Sequence, residues 1–261
     1  MLTIHQVFTT PSKPKLLLLH GFLGNHRDWS QVLNSLSQGF DVYLVDLPGH
    51  GDSGHVSVND LQQLLKLLHL SIGANVSGPY HLLGYSMGGR LALHYANFCH
   101  QHNVDDILSL TLEACHPGLT DSQQQTQRWQ SDQGWAKRFA NEPLETVLND
   151  WYLQPVFAEL TPQQRQTLIE ARLTNNGEAL ANMMTIMSLA NQPNFWDLPQ
   201  SLNYSVHYLV GALDSKFLGL AHQWQQHSPK LSYQVIADAG HNVHRAQSHA
   251  FSQAVQHQLE P

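Results

Sequence analysis

Gly84-Tyr85-Ser86-Met87-Gly88 sets a serine between two glycines in the pattern G-x-S-x-G. A serine hydroxyl is a poor nucleophile and a poor base at neutral pH. Chemistry at Ser86 therefore requires a histidine to accept its proton and a carboxylate to orient that histidine. Where this pattern forms a strand-turn-helix elbow, the chain order is serine, acid, histidine. Asp214 and His241, the latter in Ala239-Gly240-His241, satisfy that order. Asp238 is a rival acid; it stands three residues before His241, where its reach to the ring is uncertain and a role in forming the turn is favoured. Negative charge developing on a substrate oxygen needs two donors. The backbone N–H groups of Phe22, in His20-Gly21-Phe22, and of Met87 are the candidates for that oxyanion hole.

These residues act together only if strands and helices bring them to one edge. Lys15 to His20 and Asp41 to Asp46 are short apolar runs that stop at turn-forming residues, as buried parallel strands do. Between them, Trp29, Val32, Leu33 and Leu36 share one helical face within His26 to Ser37. Ser57-Val58-Asn59-Asp60 has the form of a capping box, and Leu61, Leu64, Leu65 and Leu68 continue at helical spacing. His81 to Gly84 is predicted as a third strand, Arg90 to Phe98 as the following helix and Ile107 to Ala114 as a fourth strand. Tyr204 to Gly211 and Leu231 to Ala237 restore the strand pattern late in the chain.

Strands alternating with helices predict a mostly parallel sheet covered on both faces. In that scheme Ser86, Asp214 and His241 all follow strands at one sheet edge, which is the arrangement of an α/β-hydrolase fold. Between His116 and Gln200 the sequence is rich in Gln and Trp and has helical periodicity without strands. We expect residues 116–200 to form a helical cap inserted into a core made of 1–115 and 201–261.

Composition excludes several classes of partner. A formal net charge of −7 with only 13 Lys+Arg gives no general attraction for nucleic acid or for an anionic membrane surface. The start of the sequence lacks a basic n-region and the run Leu16 to Leu19 is too short to span a bilayer, so a cytoplasmic protein is expected. Cys99 and Cys115, the 2 cysteines, suggest no disulfide framework. The 18 histidines show no metal-ligand spacing on any single element, and no metal is expected. A monomer is the default, although sequence does not set the oligomeric state.

Basic residues are scarce, so their positions are informative. Arg90 stands four residues after Ser86, and Arg128, Arg138, Arg165 and Arg172 fall in the expected cap. Guanidinium forks above the serine would select an anionic small molecule, although surface arginines also serve merely to solvate a helix. Trp129, Trp135, Trp151 and Phe157 would wall the pocket or pack the cap; composition does not decide between the two.

Several longer blocks carry a resemblance. They are His20-Gly21-Phe22-Leu23-Gly24, Val45-Asp46-Leu47-Pro48-Gly49-His50-Gly51, Gly84 to Arg90, His116-Pro117-Gly118-Leu119, Trp151 to Phe157, Asn175-Asn176-Gly177, Asp214-Ser215-Lys216-Phe217 and Gly240-His241-Asn242. The first three are widespread among α/β hydrolases, whereas the cap blocks and Asp-Ser-Lys-Phe discriminate. Together they resemble the 2-succinyl-6-hydroxy-2,4-cyclohexadiene-1-carboxylate (SHCHC) synthases, which eliminate pyruvate in menaquinone biosynthesis. The resemblance runs over nearly the whole chain. It implies a lyase without metal or organic cofactor, with Ser86, Asp214 and His241 as triad. It also implies that Arg90, Arg128 and Arg172 bind substrate carboxylates and that Tyr85 and Trp151 line the pocket. Met87 stands where leucine is common, which leaves the donating N–H intact, and Arg172-Leu173-Thr174 departs slightly from the family's run. The spacing alone equally admits a carboxylesterase, a carbon-carbon bond hydrolase or a noncatalytic binding protein on the same fold.

Overall fold

The computed structural model describes residues 1–7 and 13–259. Seven strands form one sheet: β1 Ile4–Val7, β2 Lys15–Leu19, β3 Asp41–Val45, β4 Tyr80–Tyr85, β5 Ile107–Glu113, β6 Ser205–Gly211 and β7 Leu231–Ile236. Their spatial order is β1-β3-β2-β4-β5-β6-β7, and every neighbouring pair is parallel except β1 with β3. The edge strand β1 is absent from the sequence expectation. It has 4 residues, too few to show a periodicity.

Parallel strands buried on both faces are continuous apolar runs, and β2 shows why. Leu17 and Leu19 enter one core cluster while Leu16 and Leu18 enter the other. Each is fully buried and contributes roughly 1.5–3 kcal/mol relative to exposure. The first face is covered by α2 Leu61–Asn75, α3 Met87–Gln101 and α9 Ser215–His227. The second is covered by α1 Ser30–Gly39, α10 Val243–Ala246 and α11 Ser248–Leu259.

Between β5 and β6 lie α4 Ser122–Asn141, α5 Leu144–Trp151, α6 Pro162–Arg172, α7 Gly177–Ile186 and the short α8 Leu198–Ser201. Phe139, Val147, Leu148, Ile169 and Leu180 give α4 to α7 a small core of their own, which closes onto Leu23 of the sheet domain. The other side of α7 sends Met183 and Met187 into the main core. The helices are thus held as a roof over the sheet edge.

Local chemistry shifts several boundaries. His26–Trp29 is a 3-10 turn capped by Asn25 rather than the first turn of α1, because Asn25 and Asp28 bond reciprocally to each other's backbone. Asp60, not Ser57, caps α2 by accepting from the Gln63 amide at 2.7 Å. Helix α3 begins at Met87, directly after Ser86. In-register pairs such as Leu19 with Val45, Leu19 with Gly84 and Tyr85 with Glu113 align the carboxyl ends of the central strands. Loops leaving those ends form the crevice in which open α/β sheets bind ligands.

Candidate active site

Strand β4 ends at Tyr85, and the chain turns through Ser86 at φ 51°, ψ −109° before α3 starts. A residue with a Cβ is strained there by on the order of 1–3 kcal/mol, which the surrounding packing must hold. Gly84 and Gly88 make that possible. A Cβ on Gly84 would run into the backbone of Gly88 and Gly89, and one on Gly88 into the carbonyls of Leu19 and His20. Helix α3 therefore sits against β2 and β4 with no side chain between, and the serine projects at the edge.

His241 Nε2 lies 3.1 Å from Ser86 Oγ, and His241 Nδ1 lies 2.7 Å from Asp214 Oδ2. With a carboxylate at Nδ1, that nitrogen carries the proton and the lone pair on Nε2 faces the serine hydroxyl. The other Asp214 oxygen accepts from the Phe217 amide at 3.2 Å, capping α9. One carboxylate thus ends a helix and orients the imidazole at once. Asp214 and His241 are both buried, whereas Asp238 is exposed at a positive-φ turn. Its carbonyl, at the turn, accepts from the Gln247 side chain.

The loop carrying Phe22 is pinned by two buried imidazoles that the sequence did not single out. His20 donates through Nδ1 to the Gly21 carbonyl and accepts the Leu47 amide at Nε2, 3.1 Å away. His50 donates through Nδ1 to the Pro48 carbonyl and accepts the Leu23 amide at Nε2, 3.2 Å away. Burial pushes both below the ordinary histidine range, His50 to about 3. Neutral rings with one donor and one acceptor each are what this backbone arrangement needs. Met87 occupies the first position of α3, where an amide has no intrahelical acceptor. Phe22 and Met87 both line the cavity above Ser86.

That cavity measures about 450 Å³ and is walled by core and roof together, including Trp135, Trp151, Phe157 and Met184. Trp151 packs against Trp135 at 5.0 Å and Phe22 at 5.3 Å between ring centroids. Arg90 lines the cavity from α3 and Arg128 from α4. Arg90 donates to the Met187 carbonyl and, among the described residues, has no carboxylate in an ion pair with it. Burial, then the charge of Arg128, lowers its pKa to about 10, so it remains a cation at neutral pH. Arg128 places Nε against both oxygens of Asp132, 2.8 and 2.9 Å away, and Asp132 also accepts from Ser188 at 2.7 Å. Lys216 adds a third cation at the rim, lowered by burial and then by Arg128. Its signal was the Asp-Ser-Lys-Phe block, where the acid drew attention and the lysine did not.

Two expected pocket residues lie elsewhere. Arg172 is 4% exposed, bonds Asp28 at 2.6 Å and does not line the cavity. The last turn of α6 carries it behind the roof, where Asp28 also meets Arg245 at 3.4 Å. Tyr85 is likewise outside the lining. Its ring lies beneath His241 and His244, at 5.5 and 5.0 Å, so it is a buried support for the imidazole. A further support is Glu113 at the end of β5, which accepts both the amide and Nδ1 of His244 and so fixes the segment after His241.

Comparison with known proteins places this geometry. The model of the alpha/beta hydrolase family matches residues 16–254. A 2-succinyl-6-hydroxy-2,4-cyclohexadiene-1-carboxylate synthase of Photorhabdus laumondii is 41% identical over 247 residues, 95% of this chain and 86% of that protein. One from Yersinia pseudotuberculosis is 42% identical over 244 residues, 93% of this chain and 86% of its own. Among solved structures, MenH from S. aureus superposes with a TM-score of 0.87 at 26% identity, covering 99% of this chain and 97% of that one. A thermophilic esterase from Thermogutta terrifontis gives 0.81 at 22% identity over 99% of this chain and 92% of its own, a likeness of fold alone.

Proposed function

The chain belongs to the alpha/beta hydrolase family and, within it, to the 2-succinyl-6-hydroxy-2,4-cyclohexadiene-1-carboxylate synthases, and from that premise we propose how its residues carry out the reaction. It is a lyase of menaquinone biosynthesis. The substrate is a cyclohexene bearing an enolpyruvyl ether, a succinyl ketone and several carboxylates. Ser86 passes its proton to His241, and the serine oxygen takes the proton α to the ketone. The electron pair left behind moves onto the carbonyl oxygen, where the amides of Phe22 and Met87 receive it. The enolate then collapses: a new ring double bond forms next to the ketone-bearing carbon, the existing one shifts toward the ether carbon, and the carbon-oxygen bond to the enolpyruvyl group breaks. That group leaves as the enolate of pyruvate, and the proton held by His241 goes to its carbon, which restores the neutral imidazole.

Arg90 and Arg128 hold the flanking carboxylates, with Lys216 at the rim, so that the α-proton rather than the carbonyl carbon faces Ser86. Trp151 and its aromatic neighbours exclude water from the enolate. A single observation carries the reading. A hydrogen-bonded serine, histidine and aspartate lie under a cavity lined by Arg90, which donates to a backbone carbonyl and, among the described residues, forms no ion pair with a carboxylate.

Among the described residues no helix is long and apolar enough to cross a membrane; we place the protein in the cytoplasm, as suits a small anionic substrate. The test is a coupled lactate dehydrogenase assay with the enolpyruvyl substrate. Stoichiometric pyruvate is expected, and consumption of substrate without pyruvate would sink the assignment.

A further inference from the structure

Four side chains from four separate segments meet on the far side of the Phe22 loop. His5 belongs to β1, His26 to the turn before α1, Asp46 follows β3, and Asp52 lies in the 3-10 turn Gly51–Ser53. One ligand atom from each lies within 4.8 Å of all the others. His5 Nε2 is 3.2 Å from Asp46 Oδ2 and 3.4 Å from Asp52 Oδ2. His26 Nδ1 is 2.8 Å from Asp46 Oδ2, and the two imidazoles lie with centroids 3.8 Å apart and planes tilted by 34°.

We propose that His5, His26, Asp46 and Asp52 form a site for a divalent transition-metal ion such as zinc, separate from the catalytic cavity. None of the four lines that cavity. A tetrahedral ion with bonds of about 2.0–2.1 Å to nitrogen and oxygen holds its ligands about 3.3–3.4 Å apart. Two of the three measured separations match those edges to within about 0.1 Å, and the third needs to open by about half an ångström. Two carboxylates and two neutral imidazoles balance a charge of +2. Paired imidazoles favour zinc, nickel, cobalt or copper over magnesium and calcium, which prefer oxygen. To bind, each ring moves its proton to the nitrogen facing away, leaving a lone pair directed at the ion.

The surrounding bonds resemble those that steady metal ligands. The His26 amide donates to Asp46 Oδ1 at 2.6 Å and the Asp52 amide to Asp46 Oδ2 at 2.8 Å. Backbone donors therefore fix the fully buried Asp46 carboxylate before any ion arrives. The Asp52 side chain is 58% exposed, which leaves the cluster open to solvent for entry. An ion there would join the edge strand to the loop that carries Phe22 and to the loop after β3. Each element contributes one ligand, so no single element carries metal-ligand spacing.

The test uses the full chain, stripped with chelator, and zinc competed against a chromophoric chelator, with cobalt as spectroscopic probe. One tight zinc site, a raised melting temperature and the intense visible bands of tetrahedral cobalt are expected. His5→Gln and Asp52→Asn alter partly or largely exposed side chains, and each should weaken zinc binding at least tenfold. His227→Gln, at a surface histidine paired with Asp197, controls for adventitious binding by a histidine-rich chain and should leave it unchanged. Absence of a tight site, or unchanged affinity and stoichiometry in a His5→Gln/Asp52→Asn double variant, would overturn the proposal.

Discussion

Arg90, beneath the cavity, and Arg172, behind its roof, are both drawn away from solvent, and they differ in what meets them. Arg172 finds Asp28 at 2.6 Å and spends its charge inside the protein. Arg90 donates to a backbone carbonyl, and the charges nearby are the cation Arg128 and the Asp132 carboxylate that Arg128 already engages. A buried cation with a carboxylate partner is a structural group, and removing it strands the opposite charge. A half-buried cation that lines a cavity and lacks an ion-pair partner keeps its strongest interaction in reserve for an anion that enters. The same distinction separates the sheet edge, where polar groups point at an incoming substrate, from the roof's outer layers, where they satisfy each other.

The largest effects belong to the sheet edge. Ser86→Ala, His241→Ala and Asp214→Asn should each lower kcat/KM by three or more orders of magnitude, roughly 4 kcal/mol of transition-state stabilisation. Their losses should be non-additive, since all three serve one proton transfer. Steady-state kinetics with folding checked by circular dichroism measures this; near-normal turnover in folded Ser86→Ala would remove the triad from the mechanism.

Next comes the structural arginine. Arg172→Ala leaves the buried Asp28 carboxylate with Arg245, 3.4 Å away and partly exposed, as its remaining arginine, and should lower stability by about 3 kcal/mol in chemical denaturation. Whatever remains folded should keep a KM close to that of the parent. A normal denaturation midpoint with a sharply raised KM would erase the contrast with Arg90.

Arg90→Ala is expected to behave in the opposite way, and Arg128→Ala to combine the two. Each removes a charge-assisted contact to substrate, costing on the order of 1.5–3 kcal/mol in kcat/KM; stability should change little for Arg90→Ala, whereas Arg128→Ala also unpairs the buried Asp132 carboxylate and should lower it. Arg90→Lys should recover only part of the loss in kcat/KM, because an ammonium lacks the guanidinium fork. Unchanged kinetics in both alanine variants would mean the cavity's charge plays no part in binding.

Per pH unit the smallest effect is a stability slope. His94 on α3 has its pKa lowered to about 3 by burial and then by Arg90. Between pH 6.5 and 3 the unfolded chain holds that proton and the native one does not, so stability is full above 6.5 and falls as the pH drops. The slope is about 1.4 kcal/mol per pH unit. His94→Leu should flatten the acid limb of a stability-pH curve by that amount, and an unaltered limb would show that His94 is not held neutral.

How far the sequence disclosed this molecule follows from the range of the interactions. Gly84 and Gly88 around Ser86 act within a few residues, so the elbow could be read directly, and chain order then led to Asp214 and His241. The sheet was legible because its buried strands are unbroken apolar runs. Edge strand β1 was not, being held by pairing with β3 rather than by its own pattern. Arg172 was misplaced for a related reason. Its partner Asp28 lies 144 positions away in the chain, and no local spacing announces such a pair. Tyr85 adjoins the serine in sequence, yet strand alternation turns its ring down beneath His241. His20 ends a predicted strand and His50 lies in the Val45 to Gly51 block, and only the fold shows that each closes a bond to the other's loop.

The central claim is that Ser86 removes a proton and is never acylated. Intact-protein mass spectrometry, on samples acid-quenched within milliseconds of mixing with the enolpyruvyl substrate and counted for pyruvate in the same quench, tests it most directly. The account predicts unmodified protein at every time while pyruvate accumulates. A substrate-derived adduct on Ser86 that forms and decays at the rate of turnover would contradict it.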